Sequence, residues 1–322
     1  MKMQKEVLVS VLCLAYNHEK YIRQALEGFV MQKTDFAFEV LINDDASTDN
    51  TAKIIKEYEE KYPQIIKPVY QTENQYSQGI PISKTYLYPK AQGKYFAICE
   101  GDDYWTDPLK LQKQVDFLES NPEYAMCVHK ATLNDLKTGK QSRFPDISED
   151  RDYSTEEIII EGGGIFATNS IVAKKEVFTT RPECFKAKGF GDYQMFIYGS
   201  IYGKCRCLAD NMSVYNYCTA GSWTVRIQDN EAKREEHFVQ MLNMLNAVNK
   251  YYDYKYNDAI TKALILPEFI VHRMNGDKKR MKDKRYRKYY KIYRKSDFRL
   301  KLKKIFPALA TLRKVIKGKF CK

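Results

Sequence analysis

The sequence predicts an α/β fold whose core is a mostly parallel sheet with helices on both faces. Apolar segments typical of buried strands alternate with segments whose apolar residues recur at helical spacing. Polar or acidic residues directly follow several of these strand-like segments, which places them at one edge of such a sheet. At 322 residues, the chain is long enough to bury a sizeable core.

The first part of the chain shows this alternation most clearly. Four apolar segments are predicted as strands, at 7–13, 39–43, 65–70 and 95–99. The predicted helices run over 19–31, from 47 or 48 to 62, over 82–91 and over 108–118. Ser47 or Thr48 is expected to cap the second helix, with Asp49 in its first turn and Pro63 after its end.

Beyond Pro122 the pattern is less regular. Strands are expected at 124–133, 205–208 and 213–217, with a hairpin turn at Leu136–Lys140. A helix is expected to open at Gly189–Tyr193 and to run to Ile201. Two more helices are predicted near 229–252 and 256–274.

Three carboxylates follow the predicted strand at 95–99: Glu100, Asp102 and Asp103, with Gly101 permitting a turn between them. Carboxylates this close raise one another's proton affinity unless a cation holds them. Mg²⁺ or Mn²⁺ suits such a site, and Mg²⁺ is usually held by one or two carboxylates plus substrate phosphates. The alternative is an ordinary polar turn, because Asp is a common turn residue. Asn17, Asp45 and Asp102 all follow strand ends, so we expect them to share one crevice.

The net charge of +12 is concentrated at the C-terminal end. Residues 278–322 hold 20 Lys and Arg against two acids, a net charge of +18, so the remainder carries −6. No apolar run approaches the 18 or so residues of a membrane-spanning helix, and no signal peptide is expected. The eight cysteines are scattered, which indicates reduced thiols in a cytosolic protein.

Three motifs, in this order, resemble those of family 2 glycosyltransferases with the GT-A fold, particularly bacterial enzymes that build surface polysaccharides. They are Val9–Asn17, Asn43–Asp49 and Glu100–Asp103, and Asp192 follows later. The resemblance covers about residues 7–225. It implies a nucleotide-sugar donor (a UDP-sugar is expected), Mn²⁺ or Mg²⁺ as cofactor, inversion at the anomeric carbon, and a glycan or lipid-linked glycan as acceptor.

The resemblance also implies roles for individual residues around the nucleotide sugar. Asp45 matches the aspartate that contacts the base and ribose, although it could instead cap a helix. Tyr16 belongs to a loop that lines the base site; the alternative is a core aromatic. Lys84 stands where the family often has arginine, and a surface lysine is the alternative. The residues matched to nucleotide-sugar binding are Ala15, Tyr16, Asn17, Asp45, Lys84 and Asp103.

Further matched residues imply the metal, base and acceptor sites. Glu100 and Asp102 occupy the two ends of the family's Asp-x-Asp motif, so they are the expected metal residues. Asp102 is the expected direct ligand. The alternative for the longer Glu100 side chain is to reach the ribose or a metal-bound water instead of the ion. Asp192 matches the catalytic base; its alternative is a helix N-cap. Trp223 either stacks on an acceptor sugar or packs internally.

The predicted organisation is a GT-A domain at 1–225, a helical part at 226–276 and a basic amphipathic tail at 277–322. A basic and apolar tail favours an anionic membrane surface, on the cytoplasmic face of the cell membrane. The alternatives are a helix packed on the body by one face, or nucleic-acid binding, which the acidic body disfavours.

Two other functions remain open at this stage. A sugar nucleotidyltransferase has a similar sheet, but would carry a Gly-rich basic loop after its first strand, where this chain has Ala15–Glu19. A non-catalytic basic protein that binds membrane or nucleic acid would not need the carboxylates at 45, 102 and 192.

Overall fold

A computed structural model describes residues 6–185, 190–219, 222, 225 and 230–295. Within these residues, ten strands form one sheet: β1 Val7–Ala15, β2 Ala37–Asp44, β3 Ile66–Tyr70, β4 Tyr95–Ile98, β5 Tyr104–Trp105, β6 Tyr124–Asp135, β7 Lys140–Phe144, β8 Arg151–Tyr153, β9 Val172–Lys174 and β10 Lys204–Tyr217. The α-helices are α1 Ile22–Val30, α2 Thr51–Lys61, α3 Lys110–Ser120, α4 Thr155–Glu161, α5 Glu176–Thr179, α6 Gly191–Tyr202, α7 Glu231–Tyr251, α8 Asn257–Ala263 and α9 Ile265–Met274.

The sheet is parallel in its N-terminal half and mixed beyond it. The strand order is β3-β2-β1-β4-β9-β6-β10-β5, and the first four strands all run parallel. β9 is antiparallel to both of its neighbours, while β6 and β10 pair in parallel. The parallel part follows from strand–helix crossovers, each of which returns the chain in the same direction.

The parallel strands lie between two apolar layers. Val11 and Val40 are buried in one of these layers, whereas Leu12, Leu41 and Phe96 are buried in the other, as expected for strands covered on both faces. The carboxyl ends of β1, β2 and β4 therefore form the accessible edge of this part of the sheet, and the loops after these strands supply the site described below.

Several predicted boundaries are wrong. α2 begins at Thr51 with Asn50 at its N-cap position, whereas the Ser47 and Thr48 hydroxyls that were expected to cap it hydrogen-bond to Asn17 instead. The strands predicted at 205–208 and 213–217 are one strand, β10, with register shifts between Leu208 and Ser213. The helix predicted at 256–274 divides into α8 and α9 at Leu264, and that predicted at 82–91 contains a single π-type turn, Ser83–Leu87.

The beginning of the basic tail packs on α9. Met281 and Tyr286 are buried against Phe269, and the Tyr286 hydroxyl donates a hydrogen bond to Glu268 at 2.6 Å. Residues 287–295 are helical, with Tyr289, Tyr290 and Tyr293 packed toward the same cluster. Their basic side chains are exposed: Arg287, Lys288, Lys291, Arg294 and Lys295. In the part of the chain that the structure describes, no helix is long and apolar enough to cross a membrane.

Candidate active site

Three loops meet at the carboxyl ends of β1, β2 and β4. The Asn17 N–H donates to Ser47 Oγ at 2.9 Å, and its side-chain oxygen accepts from the Thr48 N–H at 2.8 Å. The Gly101 N–H donates to the Leu14 carbonyl at 2.9 Å, and a Cβ at Gly101 would lie 2.9 Å from His18 Nδ1. The loops that carry Asn17, Asp45 and Asp102 thus border one crevice, as the sequence predicts.

Asp45 is buried at the end of β2, and both of its carboxylate oxygens hold the loop after β3. Oδ1 accepts from the Gln75 N–H at 2.7 Å, and Oδ2 accepts from the Tyr76 N–H at 3.0 Å. The Tyr86 hydroxyl donates to the Gln75 side chain at 2.8 Å and secures the same loop. A carboxylate offers about four acceptor positions, so these two bonds leave capacity for a further donor.

Other residues matched to nucleotide binding differ in accessibility. Tyr16 is 44% exposed at the mouth of the crevice, so it is not the core aromatic of the alternative interpretation. Ala15 is buried at the end of β1, and Lys84 is exposed on the turn Ser83–Leu87. Trp223 lies outside the described residues.

The turn after β4 presents its three carboxylates differently. Glu100 is exposed and Asp102 is half-buried, with Oδ2 accepting from the Thr219 hydroxyl at 2.7 Å. Asp103 is buried and accepts from the Asn216 N–H at 2.8 Å, so it connects the turn to β10. Any contribution of Asp103 to nucleotide binding must therefore act through the shape of this turn.

Asp192 lies in the first turn of α6, where the helix dipole favours a negative charge. The N-cap position is occupied by Phe190, so Asp192 does not play the capping role considered above. Its side chain is exposed, and Oδ2 accepts a hydrogen bond from the Thr168 hydroxyl at 2.9 Å. Desolvation raises the pKa of Asp192, while the Thr168 hydroxyl and the Arg181 charge oppose this shift.

Glu100, Asp102, Asp103 and Asp192, here called the crevice carboxylates, influence one another. Crowding by protein raises the pKa of Glu100 although its side chain reaches solvent, and the charges of Asp102 and Asp192 raise this pKa further. Burial raises the pKa of the Tyr215 phenol, and all four crevice carboxylates add to that shift. The carboxylates of the acidic turn therefore lie near that of α6, with Tyr215 of β10 close to both.

The crevice can accept a divalent ion only together with other ligands. Among the described residues, no group of three or more His, Cys, Asp and Glu side chains is arranged to hold an ion alone. Asp102 and Glu100 nevertheless supply hard oxygen ligands whose mutual repulsion a cation would relieve. This donor set fits Mn²⁺ or Mg²⁺ that arrives with the phosphates of a ligand.

Sequence reasoning missed the residues that hold these carboxylates. Thr168 and Arg181 neighbour Asp192, whereas Asn216 and Thr219 hold the acidic turn. Each is separated from its partner by at least 11 positions, and polar residues of this kind occur throughout the chain. No local spacing could have identified them.

Comparison with known proteins then decides the family. The sequence profile described as Glycosyl transferase family 2 matches residues 10–177, which is more than half of the chain. The chain belongs to glycosyltransferase family 2. The family 2 match runs from within β1 to just beyond β9 and includes the crevice residues from Ala15 to Thr168, while Asp192 lies beyond it.

A solved structure confirms the predicted GT-A fold for this family 2 chain. The match is Staphylococcus aureus TarS, residues 1–349, in complex with UDP-GlcNAc, with a TM-score of 0.59 and 16% identity. It covers 90% of this chain and 92% of the TarS chain.

Two curated relatives extend the comparison. An uncharacterised Mycobacterium tuberculosis protein is 37% identical over 216 residues, which is 67% of this chain and 60% of that protein. The Escherichia coli protein WfaP, named a UDP-Glc:alpha-D-GlcNAc-diphosphoundecaprenol beta-1,3-glucosyltransferase, is 33% identical over 113 residues, covering 35% of this chain and 42% of WfaP. The aligned part of this chain thus spans about 60% of the mycobacterial relative's length.

Proposed function

We propose that this protein transfers a sugar from a UDP-sugar to a lipid-linked glycan in cell-surface polysaccharide synthesis, with inversion at the anomeric carbon. The observation that carries the proposal is that the acidic turn and α6 are both anchored at β10: Asp102 accepts from Thr219 just after this strand, and Asp192 accepts from Thr168, whose turn is hydrogen-bonded to the same strand. The charges of Asp102 and Asp192 both act on Glu100, in keeping with this proximity. This reaction needs carboxylates in two places: beside the diphosphate, to bind the metal ion, and beside the acceptor hydroxyl, to accept its proton. Membership of family 2, and the UDP-sugar in the printed names of TarS and WfaP, support this choice of donor.

The donor side of the proposed site comprises the acidic turn and the loops after β1 and β2. Asp102 would ligate Mn²⁺ or Mg²⁺, and Glu100 would bind the same ion, a coordinated water or the ribose. When bound, the ion would act as a Lewis acid on the departing diphosphate. Asp45 would accept a hydrogen bond from the base or ribose with its remaining lone pairs, and the exposed ring of Tyr16 would flank the base.

Asp192 is the proposed base on the acceptor side. The acceptor oxygen forms its bond to the anomeric carbon while the bond from that carbon to the diphosphate oxygen breaks, and the electron pair leaves with UDP. The acceptor proton goes to Asp192, a role that contributes typically about 10²–10⁴-fold to such rates. The position of Asp192 in the first turn of α6 supports its ionised form, which the reaction requires.

The acceptor and membrane roles rest on the WfaP name and the basic tail. A lipid-linked acceptor is presented at a membrane surface, and the exposed cations of 287–295 lie opposite the tyrosines that pack on α9. Anionic lipids attract each nearby Lys or Arg by roughly 1 kcal/mol. We propose peripheral binding to the cytoplasmic membrane face through these cations and the rest of the basic tail.

A nucleotide-sugar screen tests the proposed activity without knowledge of the acceptor. The full chain is incubated with Mn²⁺ and UDP-Glc, UDP-GlcNAc, UDP-Gal or GDP-Man, and both UDP or GDP release and thermal stabilisation are measured. Slow Mn²⁺-dependent release of UDP, with stabilisation by UDP, is expected because water can replace the acceptor. Pyrophosphate release from UTP and a sugar 1-phosphate, without turnover of any nucleotide sugar, would instead indicate a nucleotidyltransferase.

A further inference from the structure

Thr168 makes a direct contact with the proposed base. It lies on the short 3₁₀ turn Thr168–Ser170, between α4 and β9, and its hydroxyl donates to Asp192 Oδ2 at 2.9 Å. Thr168 is half-buried, whereas the Asp192 side chain is exposed. The hydroxyl therefore reaches the carboxylate from the protein side of the crevice and occupies one of its two oxygens.

The turn that carries Thr168 is fixed by the next residue, Asn169, which is fully buried. Its side-chain oxygen accepts from the Ser213 hydroxyl at 2.8 Å, and its amide donates to the Val214 carbonyl at 2.8 Å. Its backbone carbonyl accepts from the Trp105 indole N–H at 2.9 Å. These three bonds secure the turn to β10 and to β5, so the backbone of Thr168 has little freedom to move.

Trp105 also connects the turn to the acidic motif, because it follows Asp103 by two positions. The indole is buried, and the Lys110 ammonium lies 4.1 Å from the centre of its ring. The strand that follows the acidic turn is thus joined to the turn that carries Thr168 by the hydrogen bond from Trp105 to Asn169. This arrangement sets the position of Asp192 relative to Asp102 and Glu100.

We propose that Thr168 is a positioning residue for Asp192; this inference rests on the proposed function. The hydroxyl holds Oδ2, which directs Oδ1 to the acceptor proton. Arg181 supplies the competing attraction, since its charge acts on Asp192 and its guanidinium donates to the neighbouring Gly191 carbonyl at 3.5 Å. Without the Thr168 hydroxyl, the carboxylate turns toward Arg181 and away from the acceptor.

The test compares Thr168→Val, which removes the hydroxyl at nearly constant shape, with Thr168→Ser, which keeps it. The assay is Mn²⁺-dependent release of UDP from the UDP-sugar most active in the screen. We expect Thr168→Val to lower kcat about 10-fold or more, because hydrogen bonds to charged groups are among the stronger ones. The donor KM should stay within about twofold, and Thr168→Ser should recover most of the lost kcat.

A double mutant separates positioning from a general structural effect. If Thr168 acts through Asp192, Thr168→Val should have no further effect on kcat in the Asp192→Asn background. Thr155→Val is the matched control. The Thr155 hydroxyl donates a 3.1 Å hydrogen bond to the Ser200 carbonyl rather than to a crevice carboxylate. It is expected to leave kcat unchanged.

Failure of this inference is distinguishable from failure of the proposed function. Unchanged kcat in Thr168→Val, or an equal loss in both backgrounds, overturns the positioning role while a large effect of Asp192→Asn upholds the base. Wild-type turnover by Asp192→Asn overturns both.

Discussion

The Asp102 carboxylate accepts a hydrogen bond from the Thr219 hydroxyl at 2.7 Å, two residues after β10 ends. The Asn216 side chain donates to the Asp102 carbonyl at 2.6 Å, and its backbone N–H donates to Asp103. The end of β10 therefore fixes both the backbone and the side chain of the proposed metal ligand. One carboxylate oxygen is oriented by protein, which leaves the other to face the crevice.

The first prediction concerns metal binding. Asp102→Asn should abolish turnover and Mn²⁺-dependent UDP affinity, because one charge and one oxygen ligand are lost. The amide oxygen can still accept from Thr219, so the melting temperature should change little. Isothermal titration with UDP, with and without Mn²⁺, checks this, with Asp116→Asn on the exposed face of α3 as control. Near-normal turnover at saturating Mn²⁺ would refute the metal assignment.

The second prediction concerns Asp45 and its loop. In Asp45→Asn, an NH₂ group replaces one of the oxygens that accept from the Gln75 and Tyr76 N–H groups. The substitution also removes the charge that is proposed to accept a hydrogen bond from the base or ribose. Hydrogen bonds to charged groups contribute roughly 1.5–3 kcal/mol, so UDP affinity should fall about 10-fold or more. Hydrogen exchange at these two amides should accelerate. Unchanged affinity, with faster exchange, would confine Asp45 to holding the loop.

The third prediction concerns Lys110, which is fully buried. Its ammonium donates to Gln114 at 2.8 Å, and burial lowers its pKa from 10.5 to about 7. Between these values the unfolded chain binds more protons than the folded one, so this group makes stability rise with pH. Lys110→Met should therefore be more stable near pH 7 and should lack roughly 1 kcal/mol per pH unit of that increase.

Urea unfolding of both proteins at several pH values from 7 to 8.5 measures the Lys110 effect. The difference between their unfolding free energies removes contributions that they share, including those of the buried thiols. Lys53→Met removes an exposed lysine of α2 and controls for the loss of one positive charge. Parallel pH profiles for wild type and Lys110→Met would show that the lysine is accommodated as a cation.

The fourth prediction concerns the basic tail. Because Met281 and Tyr286 pack against Phe269, removal of everything after Gly276 should lower the melting temperature as well as the charge. A chain ending at Lys295 keeps this packing and is the better test. It should bind anionic vesicles more weakly than the full chain, while its turnover of UDP-sugar with water stays the same.

Charge reversal on the described helix provides the complementary variant. Arg287→Glu with Lys291→Glu changes two exposed cations and leaves the packed tyrosines in place. Vesicle binding should fall and should weaken further with salt, because the Debye length shortens. If the full chain does not bind anionic vesicles at low salt but does bind single-stranded nucleic acid, the membrane proposal is overturned.

The sequence was informative where local pattern determines structure. The strands before Asn17, Asp45 and Glu100 are largely apolar, and their parallel pairing places the residues that follow them at one edge. The position of Asp192 in a first helical turn was likewise predictable. These features depend on neighbouring residues and on the geometry of parallel sheets.

Contacts between residues that are far apart in the sequence account for what the sequence could not reveal. Ser47 and Thr48 have the chemistry of N-caps, but their hydroxyls hydrogen-bond to Asn17, some 30 positions away. The lysine at 110 lies on a helix whose charged residues would ordinarily face solvent, yet it is held beneath Trp105. Thr168 joins Asp192 across 24 positions through a turn that only tertiary contacts fix.

The most direct test of the account is Asp192→Asn, since the substitution is nearly isosteric and its amide oxygen can still accept from Thr168. Turnover of the UDP-sugar should fall about 10²-fold or more, while UDP binding in the presence of Mn²⁺ remains within about twofold of wild type. Asp102→Asn, by contrast, should lose the Mn²⁺-dependent binding of UDP. Wild-type turnover by Asp192→Asn, or turnover restored merely by raising the donor concentration, would contradict its assignment as the base.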